Sequence, residues 1–423
     1  MPNKNPPSLP GCDEFDPNAL LVEQAQHKIL ESITPITDIE QLPIRDALNR
    51  VLADTIQSTI DVPSHTNSAM DGYAISGTDI PAGESKNLKV VGTIMAGRPL
   101  DIHIHSGECA RIMTGGKMPA GADTVIMQEH VEAEEHGETI TVSAGHQAGQ
   151  NVRQTGEDLA KGDAIFQPGT RLTPADLGML ASMGIAEVPV FKRVKVVFFS
   201  TGDELCNVGQ PLKEGQIYDS NRYTLFGMLR RLDVDFIDFG IIPDQRERVE
   251  DAFQRAIGEA DVLVTTGGVS VGEADFVKET LEKLGQVGFW KIAMKPGRPL
   301  AFGRIDDCQF FGLPGNPVSA MVTFYQFVQP ALLRMMGIAD VLPKYLYLRC
   351  ETQLKKRAGR LEFQRGVINS NENGEMIVRS TGAQGSGILS SMGEANCFIE
   401  LPLETETVAA GELVKVQAFA GMI

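Results

Sequence analysis

The sequence predicts a multidomain α/β protein built around a doubly wound parallel sheet. Three observations predict it. The chain has 423 residues, more than one hydrophobic core usually supports. Strands and amphipathic helices alternate from Val194 to about Met336, and the strands there are apolar almost throughout. Flanking that stretch, helical patterns and short β-type runs fall into separate blocks. Four domains follow: a discontinuous helical linking domain (16–60 with 149–192), an inserted β-rich domain (61–148), the α/β domain (193–338) and a small C-terminal β-barrel or sandwich (339–423).

Residues 1–17 are rich in Pro and Asn, lack an apolar run and read as a frayed tail, not a signal peptide. A first helix is expected from about Pro17 to Ser32, on Leu20, Leu21, Ile29 and Leu30. A second is expected through Leu48, Val51 and Leu52. A third should start at Thr173-Pro174, with Thr as N-cap and Pro at the first helical position, and bury Leu177, Leu180 and Met183. Between them, Leu88–Val91 and Thr124–Met127 read as strands.

In the α/β block, a strand over Val194–Phe199 ends in Ser200-Thr201-Gly202-Asp203, and a helix follows on Leu225, Met228, Leu229 and Leu232. A strand over Val234–Ile242 leads to Asp244 and Glu247, which have capping-box spacing. The strand Asp261–Val264 ends in Thr265-Thr266-Gly267-Gly268 before a helix from about Ala274 to Leu284. The strand Gln309–Gly312 runs into Leu313-Pro314-Gly315-Asn316-Pro317, where Asn316 caps a last helix and Pro317 opens it. Beyond it, Asn373-Gly374 signals a hairpin.

Composition narrows the function. The net charge of −17 excludes nucleic-acid binding through a general positive field, so any anion must be held locally. No apolar run spans a bilayer. The six cysteines are scattered without a C-x-x-C pair, as expected for reduced thiols in a cytoplasmic protein. No histidine follows His146, which argues against Ser-His-Asp chemistry or a His-ligated metal in the C-terminal two-thirds. His103 and His105 alternate as on one strand face, better read as solvated than as a metal pair. No G-x-x-x-x-G-K-[ST] run occurs, so a P-loop is excluded.

What chemistry there is lies at strand ends. Thr265–Ser270 places glycines where backbone N–H groups can turn toward an oxyanion. Leu313–Pro317 puts a helix start at a second such place. Either motif, alone, is equally an ordinary strand-to-helix turn. Asp203, Glu204, Asp244, Glu273 and Asp275 follow strands and suit a hard, oxygen-ligated cation such as magnesium; single loop acids are more often merely solvated. Lys291, Lys295 and Arg298 supply local positive charge, with Lys291 and Lys295 on one face if the stretch is a strand.

An ordered set of strings over nearly the whole chain resembles the molybdopterin molybdenumtransferase family, MoeA in bacteria and the E domain of gephyrin in animals. They are Asn67-Ser68-Ala69-Met70-Asp71-Gly72-Tyr73-Ala74, Met113-Thr114-Gly115-Gly116, Gly156-Glu157-Asp158, Ser200-Thr201-Gly202-Asp203-Glu204-Leu205, Asp219-Ser220-Asn221, Gly267-Gly268-Val269-Ser270-Val271-Gly272-Glu273-Ala274-Asp275, Lys295-Pro296-Gly297 and Gly312-Leu313-Pro314-Gly315-Asn316-Pro317-Val318-Ser319.

The resemblance implies an enzyme that inserts molybdate into adenylylated molybdopterin with magnesium-dependent release of AMP. It implies an elongated cytoplasmic homodimer whose active site is shared between subunits, with an adenylyltransferase and molybdoenzyme-maturation proteins as further partners. On it, Asp71 and Thr114 reach across from the other protomer, and Asp158 lies on the linking domain. Glu204, Asp244 and Asp275 form the acidic set, with Glu204 and Asp275 on magnesium, and Lys291 and Lys295 match the anion site. Ser200, Thr201, Gly202, Gly267, Gly268, Ser270, Arg298, Pro314, Gly315, Asn316 and Pro317 cradle the nucleotide-tagged pterin, and Arg365 and Ser386 match molybdate positions. The chain departs from the frequent Lys-Pro-Gly-Lys string by carrying Arg298, a planar fork in place of a point charge. The competing readings are a dimeric scaffold of the gephyrin type and a molybdopterin adenylyltransferase, the latter usually one compact domain.

Overall fold

The computed structural model describes residues 18–134, 137–267 and 276–419. These residues form two compact units, one drawn from the described residues of 18–40, 49–53 and 190–419, the other from those of 41–48 and 54–189.

The larger unit holds a six-stranded sheet: β1 (Lys195–Thr201), β2 (Asp235–Ile242), β3 (Val262–Thr266), β4 (Gln286–Lys291), β5 (Pro299–Ile305) and β6 (Cys308–Leu313), in the order β2-β1-β3-β6-β5-β4. Strands β2, β1, β3 and β6 are parallel, whereas β5 runs antiparallel to both β6 and β4. The expected parallel sheet is therefore extended by an antiparallel pair.

The apolar runs have a direct cause: both faces are covered. Val196, Phe198, Val264 and Phe311 pack on one side with Leu225 and Leu229 of α1 (Ser220–Arg231). Val197, Phe199, Leu263 and Phe310 pack on the other, against Val249 and Phe253 of α2 (Arg246–Glu259) and Val277 and Leu281 of α3 (Phe276–Leu284). After β6, α4 (Pro317–Thr323) passes through a π-helical turn at Phe324–Val328 into a helix over Gln329–Met335.

Five C-terminal strands close on themselves. Leu361–Ser370 pairs with Met376–Ser380, that with Leu346–Cys350, then Leu413–Ala418, then Cys397–Leu401, which returns to Leu361–Ser370. Barrel, not sandwich, is the outcome, and the Asn373-Gly374 hairpin forms, with Gly374 at φ +79°. Barrel and sheet share one core: Phe363 and Phe398 join the cluster that holds Val264, Phe324 and Phe327. A buried polar chain crosses the same region, where Gln326 Nε2 donates to Gln417 Oε1 at 2.7 Å and Gln26 Nε2 to the Gln326 carbonyl at 3.0 Å.

In the other unit, a six-stranded sheet runs in the order 124–127, 72–75, 108–112, 86–94, 139–142, 131–133. Its helix Pro174–Ser182 begins as read, with a reciprocal capping box between Thr173 and Asp176.

Two elements differ from expectation. The helix through Leu48–Leu52 does not form. Asn49 turns the chain at φ +64°, and Leu52 instead pairs in β fashion with Val190. Buried Val51 and Leu52 produce the spacing without the helix. Asp244 and Glu247 make no capping box: α2 starts after Gln245 with no side-chain cap, which leaves Asp244 in the preceding turn.

Candidate functional site

A cavity of about 840 Å³ opens along the carboxyl rim of the parallel strands, where open α/β sheets bind ligands. Four strand ends and the barrel build it. After β1 come Thr201, Gly202 and Glu204, after β2 Asp244, after β3 Gly267, and after β6 Pro314, Gly315 and Asn316. The link between β4 and β5 adds Lys295 and Arg298, and the barrel adds Arg360, Gln384 and Ser386.

Conformation favours glycine at both turns, and close approach to backbone requires it at Gly267. Gly267 has φ +87°, and a Cβ there would stand 2.4 Å from the Thr201 carbonyl oxygen. Gly202 has φ +147°, and its Cβ would meet the Glu204 carboxylate at 2.5 Å. The Gly267 turn fits against Thr201 only without a side chain, whereas at Gly202 the contact is with the movable end of Glu204 and the positive φ is what favours glycine.

Charge is segregated across the cavity lining. Glu204 and Asp244 contribute acid, and Lys295, Arg298 and Arg360 contribute base. Burial pushes the Asp244 carboxyl above its ordinary range, and the charges of Asp203 and Glu204 push it further. The Asp244 N–H donates to the Asp203 carboxylate at 3.3 Å, which fixes the crowded pair of turns. Such crowding of carboxylates is of the kind that a divalent cation relieves. Among the described residues no group of three or more His, Cys, Asp or Glu side chains is placed to hold a metal. Glu204 and Asp244 are thus a partial set, and Asp275, with Gly268, Ser270 and Glu273, lies outside the described residues.

The structure separates other predicted residues from the cavity. Lys291 and Lys295 do not share a strand. Lys291 ends β4 and is exposed, and the backbone then turns to three other partners. The Ala293 N–H donates to Leu20, the Ile292 N–H to Arg298 and the Leu361 N–H to Ala293. Only Lys295 of the two lysines lines the cavity. Ser200 is buried within the sheet and shares a hydrogen bond with Thr266 Oγ1 at 3.1 Å. Pro317 opens α4 as read, but the Val318 N–H behind it is taken by the Ser386 carbonyl at 3.1 Å. Asn316 stands at the N-cap without a side-chain capping bond, and it lines the cavity.

Arg365, expected at a molybdate position, lies buried in the barrel beside the cavity loop. It is 1% exposed, and its guanidinium donates to Ser391 Oγ at 3.1 Å and the Gly385 carbonyl at 3.0 Å. It therefore holds the loop that presents Gln384 and Ser386. Gln384 is pinned to the same residue, accepting from the Arg365 N–H at 2.7 Å.

Asp71, Thr114 and Asp158 belong to the smaller unit. Asp71 Oδ1 accepts from both the Thr114 N–H and Oγ1 at 2.7 Å, and the backbone bond leads in holding its carboxyl below the ordinary range. Asp158 is exposed on a turn whose N–H donates to the Val62 carbonyl. His103 and His105 lie with ring centroids 4.8 Å apart, but no third ligand joins them among the described residues.

Sequence reasoning missed Arg360, Gln384 and Glu362. Buried Glu362 sits 3.6 Å from the Lys295 ammonium and steadies it. The one legible signal was the run Lys355-Lys356-Arg357, followed by Arg360, in an acidic chain.

Comparison with known proteins agrees with the resemblance. Residues 20–184 match the MoeA N-terminal region (domains I and II), 197–334 the probable molybdopterin binding domain, and 347–419 the MoeA C-terminal region (domain IV). The chain is 48% identical over 401 residues to a molybdopterin molybdenumtransferase of Haemophilus influenzae, covering 95% of this chain and 98% of that one. It is 34% identical to one of Bacillus subtilis, covering 90% and 89%. The crystal structure of a molybdopterin biosynthesis MoeA protein from Pyrococcus horikoshii OT3 superposes with a TM-score of 0.82 at 32% identity, covering 95% of this chain and all of that one. Sequence, domain order and fold agree, and the chain belongs to the MoeA family of molybdopterin molybdenumtransferases.

Proposed function

We propose that this protein transfers molybdenum from molybdate to adenylylated molybdopterin and releases AMP. The observation that carries the reading is the single cavity in which Glu204 and Asp244 share a lining with Lys295, Arg298 and Arg360. An acidic protein has no general attraction for a dianion or a nucleotide, so this segregated charge is what recognises both. The turns at Gly202, Gly267 and Gly315 let the backbone approach the phosphates, and Lys295, steadied by Glu362, offers its ammonium to oxyanion charge. Ser386, held through Arg365, completes the barrel side. Glu204, Asp244 and Asp275 would hold magnesium, which when bound neutralises phosphate charge as the AMP linkage breaks. The residues themselves position the reactants and stabilise developing charge.

We further place the protein in the cytoplasm, as a homodimer in which Asp71 and Thr114 of one subunit close the cavity of the other. Compatible with this, no helix of the described residues is long and apolar enough to cross a membrane, and the five described cysteines are free and buried. The test is molybdate-stimulated AMP release by purified protein. Glu204→Gln and Lys295→Ala should each lower it by roughly 100-fold or more. Wild-type rates in both variants, or no AMP release by the wild type, would overturn the assignment and favour a scaffold.

A further inference from the structure

Asp219-Ser220-Asn221 stands at the start of α1, and none of the three lines the cavity. Asp219 does the capping: its carboxylate accepts from the Arg222 N–H at 3.2 Å. Asn221 is therefore not needed as a cap by its own helix. Its amide reaches a residue 94 positions along the chain instead, where Nδ2 donates to the Gly315 carbonyl at 2.7 Å.

Stability alone does not account for this amide. Asn221 is 8% exposed, and its Oδ1 has no hydrogen-bond partner among the described residues. A buried acceptor left unpaired costs stability, and an apolar side chain of similar size would not incur that cost. What the amide does provide is the orientation of one peptide group. Gly315 lines the cavity, and a Cβ built there would meet nothing within 4 Å, so sterics do not hold that backbone. In a planar trans peptide the carbonyl and the following N–H point in opposite directions. With the Gly315 carbonyl held toward α1, the Asn316 N–H is turned away from α1, to the side on which Gly315 and Asn316 line the cavity. The same segment grips a second turn. The Ile217 N–H donates to the Glu204 carbonyl at 2.8 Å, and the Asp219 N–H to the Cys206 carbonyl at 3.2 Å. Residues 217–221 thus tie the turn after β1, which carries Glu204, to the turn after β6, which carries Gly315.

We propose that Asn221 is a positioning residue for the cavity: through the Gly315 carbonyl it aims the Asn316 N–H at a phosphate oxygen of the nucleotide-bearing substrate. The phosphate rests on the transferase reading; the locked peptide does not. Gln384 and Ser386 enter the cavity on a barrel loop held by Arg365, so the molybdate side does not depend on this lock.

Asn221→Leu and Asn221→Asp remove the donor at nearly constant size, and Ser220→Ala, one residue away, is the control. Melting temperature, AMP binding by calorimetry on the full chain, and AMP release against the concentration of each substrate are measured. Both Asn221 variants should weaken AMP binding about tenfold and raise KM for adenylylated molybdopterin about 5- to 10-fold. In both, kcat should stay within about threefold and molybdate KM within about twofold, since a contact present before and during the reaction is lost. Their melting temperatures should stay within about 3 °C of wild type. Ser220→Ala should match the wild type throughout. Wild-type AMP affinity and KM in both Asn221 variants would overturn the proposal. So would a parallel loss of AMP affinity, molybdate affinity and melting temperature, which would make Asn221 a residue of the fold and not of the site. If wild-type protein binds AMP and the variants bind it about tenfold more weakly, but no AMP is released from the substrate, the positioning role stands and the transferase reading falls.

Discussion

Asp244 sits where folding and function ask for opposite charge states. Its carboxyl is half-buried beside Asp203 and Glu204, and its proton affinity is raised by burial first and by those two charges second. The folded state therefore holds that proton more tightly than the unfolded chain. Acidification from the raised folded value down through the ordinary value of 3.8 stabilises the wild type, and at neutral pH the charge is a liability. Asp244→Asn should raise the melting temperature at pH 7 by roughly 2–4 °C, with the gain shrinking as pH falls through that window. AMP release should fall roughly 10- to 100-fold in the same variant. Calorimetry across pH, paired with the activity assay, checks both, and a variant less stable than wild type at pH 7 would contradict the crowding argument. The residue was legible as a candidate because it follows a strand, but its role was half misread. Capping-box spacing with Glu247 is satisfied in sequence and not in space, since Gln245 takes the N-cap position.

At the scale of elements, what sequence shows well is what local physics decides. Thr173-Pro174 and Asn316-Pro317 fall at helix starts because a fixed φ and a missing N–H are tolerated only there. The buried strands were legible because two covered faces demand unbroken apolar runs. The lysine pair was not, because the partners of residues 292 and 293 come from Arg298, Leu20 and Leu361, none visible in a local window. Arg365 was found as a residue, but its burial is a tertiary property that no local window shows. The Gly267 turn gives this scale its prediction. A Cβ there meets backbone, the Thr201 carbonyl, and the left-handed φ adds strain, so neither turn can yield cheaply. Gly267→Ala should destabilise the larger unit by about 2–4 kcal/mol in urea unfolding. Gly315→Ala, where a Cβ meets nothing within 4 Å, should stay within about 0.5 kcal/mol of wild type. Equal effects of the two would remove the close-approach argument for the site's geometry.

At the scale of the molecule, the cavity depends on the barrel being held against the sheet, and that hold is apolar. Phe398 of the barrel is fully buried, with ring centroids 5.6 Å from Tyr325, 6.0 Å from Phe363 and 4.6 Å from Phe419. Tyr325 lies in the π-helical turn that continues from the cavity helix, so one aromatic cluster links the element behind Asn316 to the strand beside Arg365. Sheet domain and barrel should accordingly lose stability together. Phe398→Ala should cost about 3–5 kcal/mol, the range for emptying a packed aromatic site. Native-state hydrogen exchange locates the loss. Protection should fall at Val264 and Phe311 in the sheet as well as at Val416 in the barrel, while Ile126 and Ile140 of the smaller unit keep theirs. Loss confined to the barrel strands would mean that the two domains open independently. Lys295, Arg360 and Ser386 would then be held in register by their own hydrogen bonds and ion pairs, not by the shared core.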